Sequence, residues 1–297
     1  PSACGGKATC GYCKVEVLSG GGHILPTEEV FIPRKDRLKG VRLACQVKVK
    51  NDIDVLISPE LLAAQEFKVV VTQIKDLTSD IKLVSLRLDE PSSLKFKPGQ
   101  YAQFKIPETD ELRAYSIASP PSSENAMELV VRLVPGGMCS TYIHEVLDIN
   151  DTITITGPFG DFYLREDSDR NIVCIGGGCG MAPIRSILLH LKEKGIPRKT
   201  MYLFGARSKK DLFFTEELFA LERDYPNFKY IPALSEPKPH DNWDGETGLI
   251  TQVVERLVHD GPNTEAYLCG PPPMIDAAIK VLTTKGVHEI HIYYDKF

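Results

Sequence analysis

Asn171-Ile172-Val173-Cys174-Ile175-Gly176-Gly177-Gly178-Cys179-Gly180-Met181-Ala182-Pro183 reads as a strand, a glycine-rich turn and the start of a helix. Proline suits the first helical turn because it needs no N–H partner there. The glycines Gly176, Gly177, Gly178 and Gly180 let a pyrophosphate settle on the helix N-terminus, with Pro183 completing the turn. The spacing is not G-x-G-x-x-G, since Pro183 stands where the last glycine would be. Downstream, strand-like and helix-like segments alternate: IRSILLHLKEK, TMYLFGA, TEELFALERD, FKYIPAL, LITQVVERLV, AYLCG and IDAAIKVLTTKG. That alternation predicts a parallel sheet with right-handed crossovers, an α/β domain over 167–297.

Upstream the pattern changes to strands separated by turn signals: FKVVVTQI, IKLVSLRL, YAQFKI, MELVVRLV and DTITIT. This spacing predicts an antiparallel barrel over 63–166. Arg113-Ala114-Tyr115-Ser116 ends one of its strands. Gly136-Gly137-Met138-Cys139-Ser140-Thr141 leads into the helical YIHEVL and is a candidate phosphate nest. There the glycines permit close backbone approach, Ser140 and Thr141 cap the helix, and Arg113 assists with a pyrophosphate. A glycine-rich turn before a helix is by itself more often only a turn.

At the N-terminus Cys4, Cys10, Cys13 and Cys45 form a C-x5-C-x2-C arrangement closed by a distant fourth cysteine. Four thiolates, three in one tight loop, are what a 2Fe-2S cluster requires. Structural zinc is the rival, but it usually takes two C-x2-C pairs from separate knuckles. Gly5, Gly6, Ala8, Thr9 and Gly11 let the loop curl around inorganic sulfide. The ligand order is similar to that of plant-type ferredoxins, which implies a β-grasp domain over 1–62. KVEVL and RLACQVKV read as its strands around a turn at Gly20–Gly22, and Ser58 to Glu66 reads as a linker. The chain begins at Pro1, three residues before its first ligand, so a fragment is expected, with a membrane anchor upstream as one reading of the missing piece.

A formal net charge of −5 argues against a nucleic-acid partner. The basic run Arg34, Lys35, Arg37, Lys39 and Arg42 reads as a solvated loop, with steering of an acidic partner as the alternative. No apolar run approaches membrane-spanning length. The cysteines look like ligands or isolated thiols, which predicts a reducing, cytoplasmic-type compartment.

Arg113-x-Tyr115-Ser116, the Gly136–Thr141 loop, Gly157-Pro158-Phe159-Gly160, the proline-terminated Gly176–Pro183 turn and Cys269-Gly270-Pro271 together resemble the ferredoxin-NADP reductase superfamily. The resemblance implies FAD in the barrel, with Arg113 at its pyrophosphate, Tyr115 against the flavin ring and Ser116 near N5. It places Cys269 and Gly270 beside the nicotinamide, and it makes Phe297 the aromatic that covers the flavin until nicotinamide displaces it. Ser116, Cys269 and Phe297 are thus the expected catalytic residues. Glu236 follows Ala233-Leu234-Ser235, where NADP-using relatives carry an arginine. Its carboxylate would repel a 2′-phosphate and accept ribose hydroxyls, so NADH is favoured.

NADH delivers two electrons at once and a 2Fe-2S cluster takes one at a time, so a flavin must stand between them. With Leu43-Ala44-Cys45-Gln46, Gly205-Ala206-Arg207-Ser208 and Asp241-Asn242-Trp243, the chain resembles the F subunits of the Na+-translocating NADH:quinone oxidoreductases. This implies a one-electron acceptor protein or membrane-complex subunits as partners, at the cytoplasmic face of the inner membrane. The ending Tyr294-Asp295-Lys296-Phe297 is nearer to reductase components of multicomponent oxygenases, the alternative reading. A non-catalytic redox sensor is a third.

Overall fold

The computed structural model describes residues 4, 6–9, 11–57 and 64–297. Cys10 lies outside the described residues, as does most of the expected linker.

The N-terminal sheet has strand order β2-β1-β3, from β1 (Lys14–Ser19), β2 (Val41–Leu43) and β3 (Asp54–Leu56), with α1 (Pro26–Glu29) and α2 (Arg34–Arg37) between β1 and β2. Both pairings are antiparallel. The strand expected through RLACQVKV ends at Leu43. There the N–H groups of Gln46 and Val47 turn back onto the Leu43 carbonyl at 2.8 and 3.2 Å. At four residues each, α1 and α2 are too short for a 3.6-residue period to register.

Arg42 leaves the basic run expected to be solvated. It is buried, donating to Glu28 from Nε at 2.9 Å and Nη2 at 2.7 Å, and to the Gly21, Gly22 and His23 carbonyls. Burial alone would raise the Glu28 carboxyl pKa, but hydrogen bonds from Arg42 and from the Leu25 and Leu43 amides outweigh it and hold it low. This pair ties the glycine turn to β2.

Strands β4 (Gln65–Asp76), β5 (Ile81–Glu90), β6 (Tyr101–Lys105), β7 (Leu112–Ser116), β8 (Ala126–Arg132) and β9 (Thr152–Phe159) make a second sheet in the order β7-β6-β9-β4-β5-β8. All its ladders are antiparallel. A bridge between Ile117 and Leu129 brings its two edges together, so the barrel is nearly closed. Alternation along β4 turns Phe67, Val69 and Val71 inward, and α3 (Met138–Glu145) adds Cys139 and Ile143 to that core.

The third sheet runs β13-β12-β11-β10-β14-β15 and is parallel throughout. Its strands are β10 (Asn171–Gly177), β11 (Thr200–Ala206), β12 (Phe228–Leu234), β13 (Glu246–Thr247), β14 (Thr264–Gly270) and β15 (Ile292–Lys296). Helices α4 (Met181–Glu193) and α5 (Thr215–Asp224) cover one face, and α6 (Ile250–Leu257) and α7 (Pro272–Thr284) the other. All seven β14 residues are buried, as expected for a strand covered on both faces.

The chain steps outward from β10 to β13, then returns to lay β14 on the other side of β10. In open α/β sheets, ligands bind at such a switch point, outside the carboxyl ends of the strands. The α4 face shares one core with barrel residues Ile81, Leu83, Ala118, Val130, Phe162 and Leu164. Arg185 of α4 locks the two together, bonding Glu217, Glu128 and the Ala118 carbonyl. Ser186 adds a 2.7 Å bond to the Ser119 carbonyl.

Candidate functional site

In the cysteine loop, Cys13 precedes β1 and Cys45 follows β2, and the Ala44 N–H bonds the Cys13 carbonyl at 2.7 Å. Cys13 is buried and Cys4 and Cys45 are half-buried. Gly6, in the left-handed region at φ +83°, packs beside Cys45, where a Cβ on it would lie 3.9 Å from the Cys45 Cβ. The Gln46 Nε2 donates to Cys45 Sγ at 3.6 Å. Among the described residues no three His, Cys, Asp or Glu side chains converge as a single-ion chelate. A buried thiol, a glycine cradle and an amide donor at a sulfur fit a thiolate-bound cluster.

In the barrel, alternation sets Arg113 and Tyr115 on one face of β7 and Ser116 on the other. The Tyr115 hydroxyl engages the Cys139 thiol, which brings the Arg-x-Tyr-Ser strand against the Gly136–Thr141 loop. Burial pushes both groups up, Tyr115 strongly. Gly136 adopts φ +71° with open space around it, as a phosphate nest needs. Gly137 is packed instead, since a Cβ would lie 2.7 Å from Ser140 Oγ. Ser140 does not cap the helix outward. It is buried, accepts the Val134 N–H at 3.1 Å and donates within its own turn. Thr141 begins the helical ladder on Gly137. Arg113 is held by Glu111 at 2.8 Å and the Leu112 carbonyl at 2.7 Å, so a phosphate would compete with Glu111.

At the switch point the glycine turn is moulded to its neighbours. A Cβ on Gly176 would meet the Tyr202 hydroxyl at 2.5 Å, and one on Gly177 would meet Met274 Sδ at 2.9 Å. One on Gly180 would meet the Cys269 carbonyl oxygen at 1.9 Å. Gly178 sits at φ +56° against Arg132 of the barrel. Pro183 is the third residue of α4 and is buried. Cys269 pairs in register with Gly176 on one side and Asp295 on the other. It is fully buried in the core shared with the barrel, and burial followed by the neighbouring Cys179 pushes its thiol up. Gly270, at φ +152°, carries on its carbonyl the Phe297 N–H at 3.4 Å, and Phe297 itself is half exposed. Glu236 is exposed just past β12, its N–H on the Arg207 carbonyl at 2.8 Å.

Two contacts link these pieces across the module boundaries. Cys179 of the glycine turn lies within electrostatic reach of Tyr115, and its own thiol is pushed up to about 12, chiefly by burial. Tyr101, in register with Ser116, stacks on Tyr12 of the cysteine loop at 6.1 Å. Several residues there carry no signal in pattern or spacing: Glu111, Tyr12 and Tyr101. Asp295 falls in the C-terminal motif, but nothing local announces its environment, in which burial pushes its carboxyl up to about 7.

Three family models match in series along the chain: a 2Fe-2S iron-sulfur cluster binding domain over residues 1–50, an oxidoreductase FAD-binding domain over 68–163 and an oxidoreductase NAD-binding domain over 174–280. Fold, site and domain order define a class: an iron-sulfur flavoprotein reductase, an NADH-dependent oxidoreductase built for FAD and a 2Fe-2S cluster. The F subunit of the Na(+)-translocating NADH-quinone reductase of Neisseria meningitidis serogroup C is 39% identical over all of this chain and 84% of its own length. The chain belongs to the family of these F subunits. Similarity of the same order extends to the phenol hydroxylase P5 protein of Acinetobacter pittii, 40% identical over all of this chain and 85% of that protein. Among solved structures, the Amycolatopsis cytochrome P450 reductase GcoB superposes with a TM-score of 0.84 at 30% identity, covering 100% of this chain and 90% of that one. Among the described residues no helix is long and apolar enough to cross a membrane.

Proposed function

We propose that this chain takes hydride from NADH at the β10–β14 switch point and releases the electrons singly through the cysteine loop to a protein acceptor. The observation that carries this is that the three modules are joined at these motifs: the Tyr115 hydroxyl meets Cys139 with Cys179 of the glycine turn in electrostatic reach, and Tyr12 of the cysteine loop stacks on Tyr101 of the barrel. We divide the chain into a cluster domain over 1–62, a flavin barrel over 63–166 and a nicotinamide domain over 167–297.

Arg113, Tyr115, Ser116, Gly136, Gly137 and Thr141 would hold FAD, with buried Ser140 shaping the loop rather than touching phosphate. Gly176, Gly177, Gly178, Gly180, Pro183 and Gly270 would receive the nicotinamide dinucleotide, with Glu236 selecting against a 2′-phosphate. Cys4, Cys10, Cys13 and Cys45 would ligate the cluster. Bound flavin supplies a carrier that accepts a hydride and gives up single electrons. Ser116 and Cys269 would align the reacting rings and Phe297 would cover the flavin face, and the shared core behind Cys269 excludes water.

The acceptor is the finer question. The relatives from Na(+)-translocating reductases favour the NADH input of a membrane complex at its cytoplasmic face, tethered by other subunits or an upstream segment. The P5 relative favours an oxygenase component. Anaerobic titration with NADH, then NADPH, following flavin bleaching and the cluster's paramagnetic signal, tests the electron path. A flavin that NADH leaves oxidised refutes it. Turnover with quinone reductase subunits against turnover with an oxygenase component separates the acceptors.

A further inference from the structure

One side chain of the cysteine loop reaches both other modules. Tyr12, adjacent to Cys13, donates its hydroxyl to the Lys296 carbonyl at 2.8 Å and accepts the Lys296 N–H at 3.2 Å. Its ring stacks on Tyr101, 6.1 Å between centroids and 30° between planes, and Tyr101 leans on Phe159 at 5.7 Å. Tyr12 has no place in the small core of its own sheet, which Cys13, Ile32 and Leu43 make. Both its ring and its hydroxyl are used across the module boundary.

The partners are informative. Tyr101 stands opposite Ser116 in the β6–β7 ladder, and Lys296 stands opposite Gly270 in the β14–β15 ladder. Lys296 is itself pinned, its Nζ bonding Asp276 at 2.7 Å. Tyr101 is buried, and a Cβ on Gly160 would strike its ring at 2.9 Å, so the surface that receives Tyr12 is rigid. A hydroxyl that donates to and accepts from one residue has its direction set, and a stacked ring has its plane set.

We propose that Tyr12 is a positioning residue, a latch that seats the cysteine loop between the flavin strand and the C-terminal segment carrying Phe297. It sets the gap that electrons cross from flavin to cluster. In that consequence it rests on the function proposed above, whereas the latch itself does not. Tyr12 makes and breaks no bond. The passage it governs moves one electron at a time, twice per hydride received, and the flavin's protons return to solvent.

The test uses the full-length holoprotein with Tyr12→Phe, which keeps the stack and loses both hydrogen bonds, and Tyr12→Ala, which loses everything. Amide exchange in the cysteine loop and in Ile292–Lys296 reads the latch without turnover. Tyr12→Ala is expected to speed it roughly five- to tenfold, the factor that about one net hydrogen bond supplies, with Tyr12→Phe close behind. In stopped flow, flavin bleaching by NADH should keep its rate while cluster reduction slows roughly tenfold or more in Tyr12→Ala and less in Tyr12→Phe. Tyr101→Leu, outside the cysteine loop, should slow cluster reduction likewise and covers the case in which a loop change empties the cluster. Unchanged exchange in Tyr12→Ala overturns the latch, and unchanged cluster reduction in Tyr12→Ala and Tyr101→Leu overturns its role in electron passage. If NADH fails to bleach the wild-type flavin, the proposed function fails, and the exchange result still decides the latch.

Discussion

Gly180→Ala probes the switch point most directly. An added Cβ would lie 1.9 Å from the Cys269 oxygen, 2.4 Å from the Cys269 carbon and 3.0 Å from the Gly270 nitrogen. None of these is the tip of a flexible side chain. Cys269 is held in ladders on both sides, so the first turn of α4 must retreat from β14 by about 1 Å or more to relieve the contact. Overpacking of this kind costs about 1–3 kcal/mol, which for a chain of this size is a drop of roughly 2–10 °C in melting temperature. The functional effect should be larger, because displacement on the order of 1 Å in a positioning element can cost about a hundredfold in rate. Differential scanning calorimetry and stopped-flow flavin reduction by NADH measure the two effects. FAD content and the cluster signal should persist, since neither the barrel nor the cysteine loop contains Gly180. A variant with wild-type melting and wild-type reduction rate would refute both the packing argument and the placement of the dinucleotide at this turn.

Gln46→Leu removes the amide donor from Cys45 Sγ. The cluster potential should become more negative by tens of millivolts, since about 59 mV corresponds to tenfold for one electron, and a redox titration of the cluster signal checks it. Glu236→Arg should raise NADPH use relative to NADH by at least about tenfold in kcat/KM, and an unchanged ratio would remove Glu236 from nucleotide choice. Burial raises the Asp295 carboxyl from 3.8 to about 7, so the folded state keeps a proton that the unfolded chain has lost. Its contribution therefore declines as pH rises from about 4 to about 7. Asp295→Asn should flatten that decline in urea melts and be more stable than wild type at pH 8. Parallel pH profiles for the two proteins would contradict the burial argument.

Much of the fold is legible because burial follows local period. Alternation in FKVVVTQI and IKLVSLRL matches β4 and β5, and the switch to strand–helix repeats after Asn171 matches the parallel sheet. RLACQVKV misleads because its apolar alternation continues past Leu43, while the backbone turns to present Cys45. Arg42 looks like one of five solvated cations because its acceptor, Glu28, sits on a helix too short to leave a pattern. Ser140 looks like an outward cap because sequence does not say which way a hydroxyl in a turn points.

What the chain settled by itself was chemistry and order: four cysteines at ferredoxin spacing, then Arg113-x-Tyr115-Ser116, then a glycine turn closed by Pro183. Residue type and short spacing carry that information, because three of the four cysteines, and each phosphate-type turn, fall within a few residues. Only the tertiary structure decided how these motifs pack against one another. The β10–β14 pairing, the Tyr115–Cys139 contact and Arg185 across the shared core all join segments distant in sequence. Tyr12 and Lys296, 284 residues apart, meet through the packing of whole domains, which no local periodicity encodes.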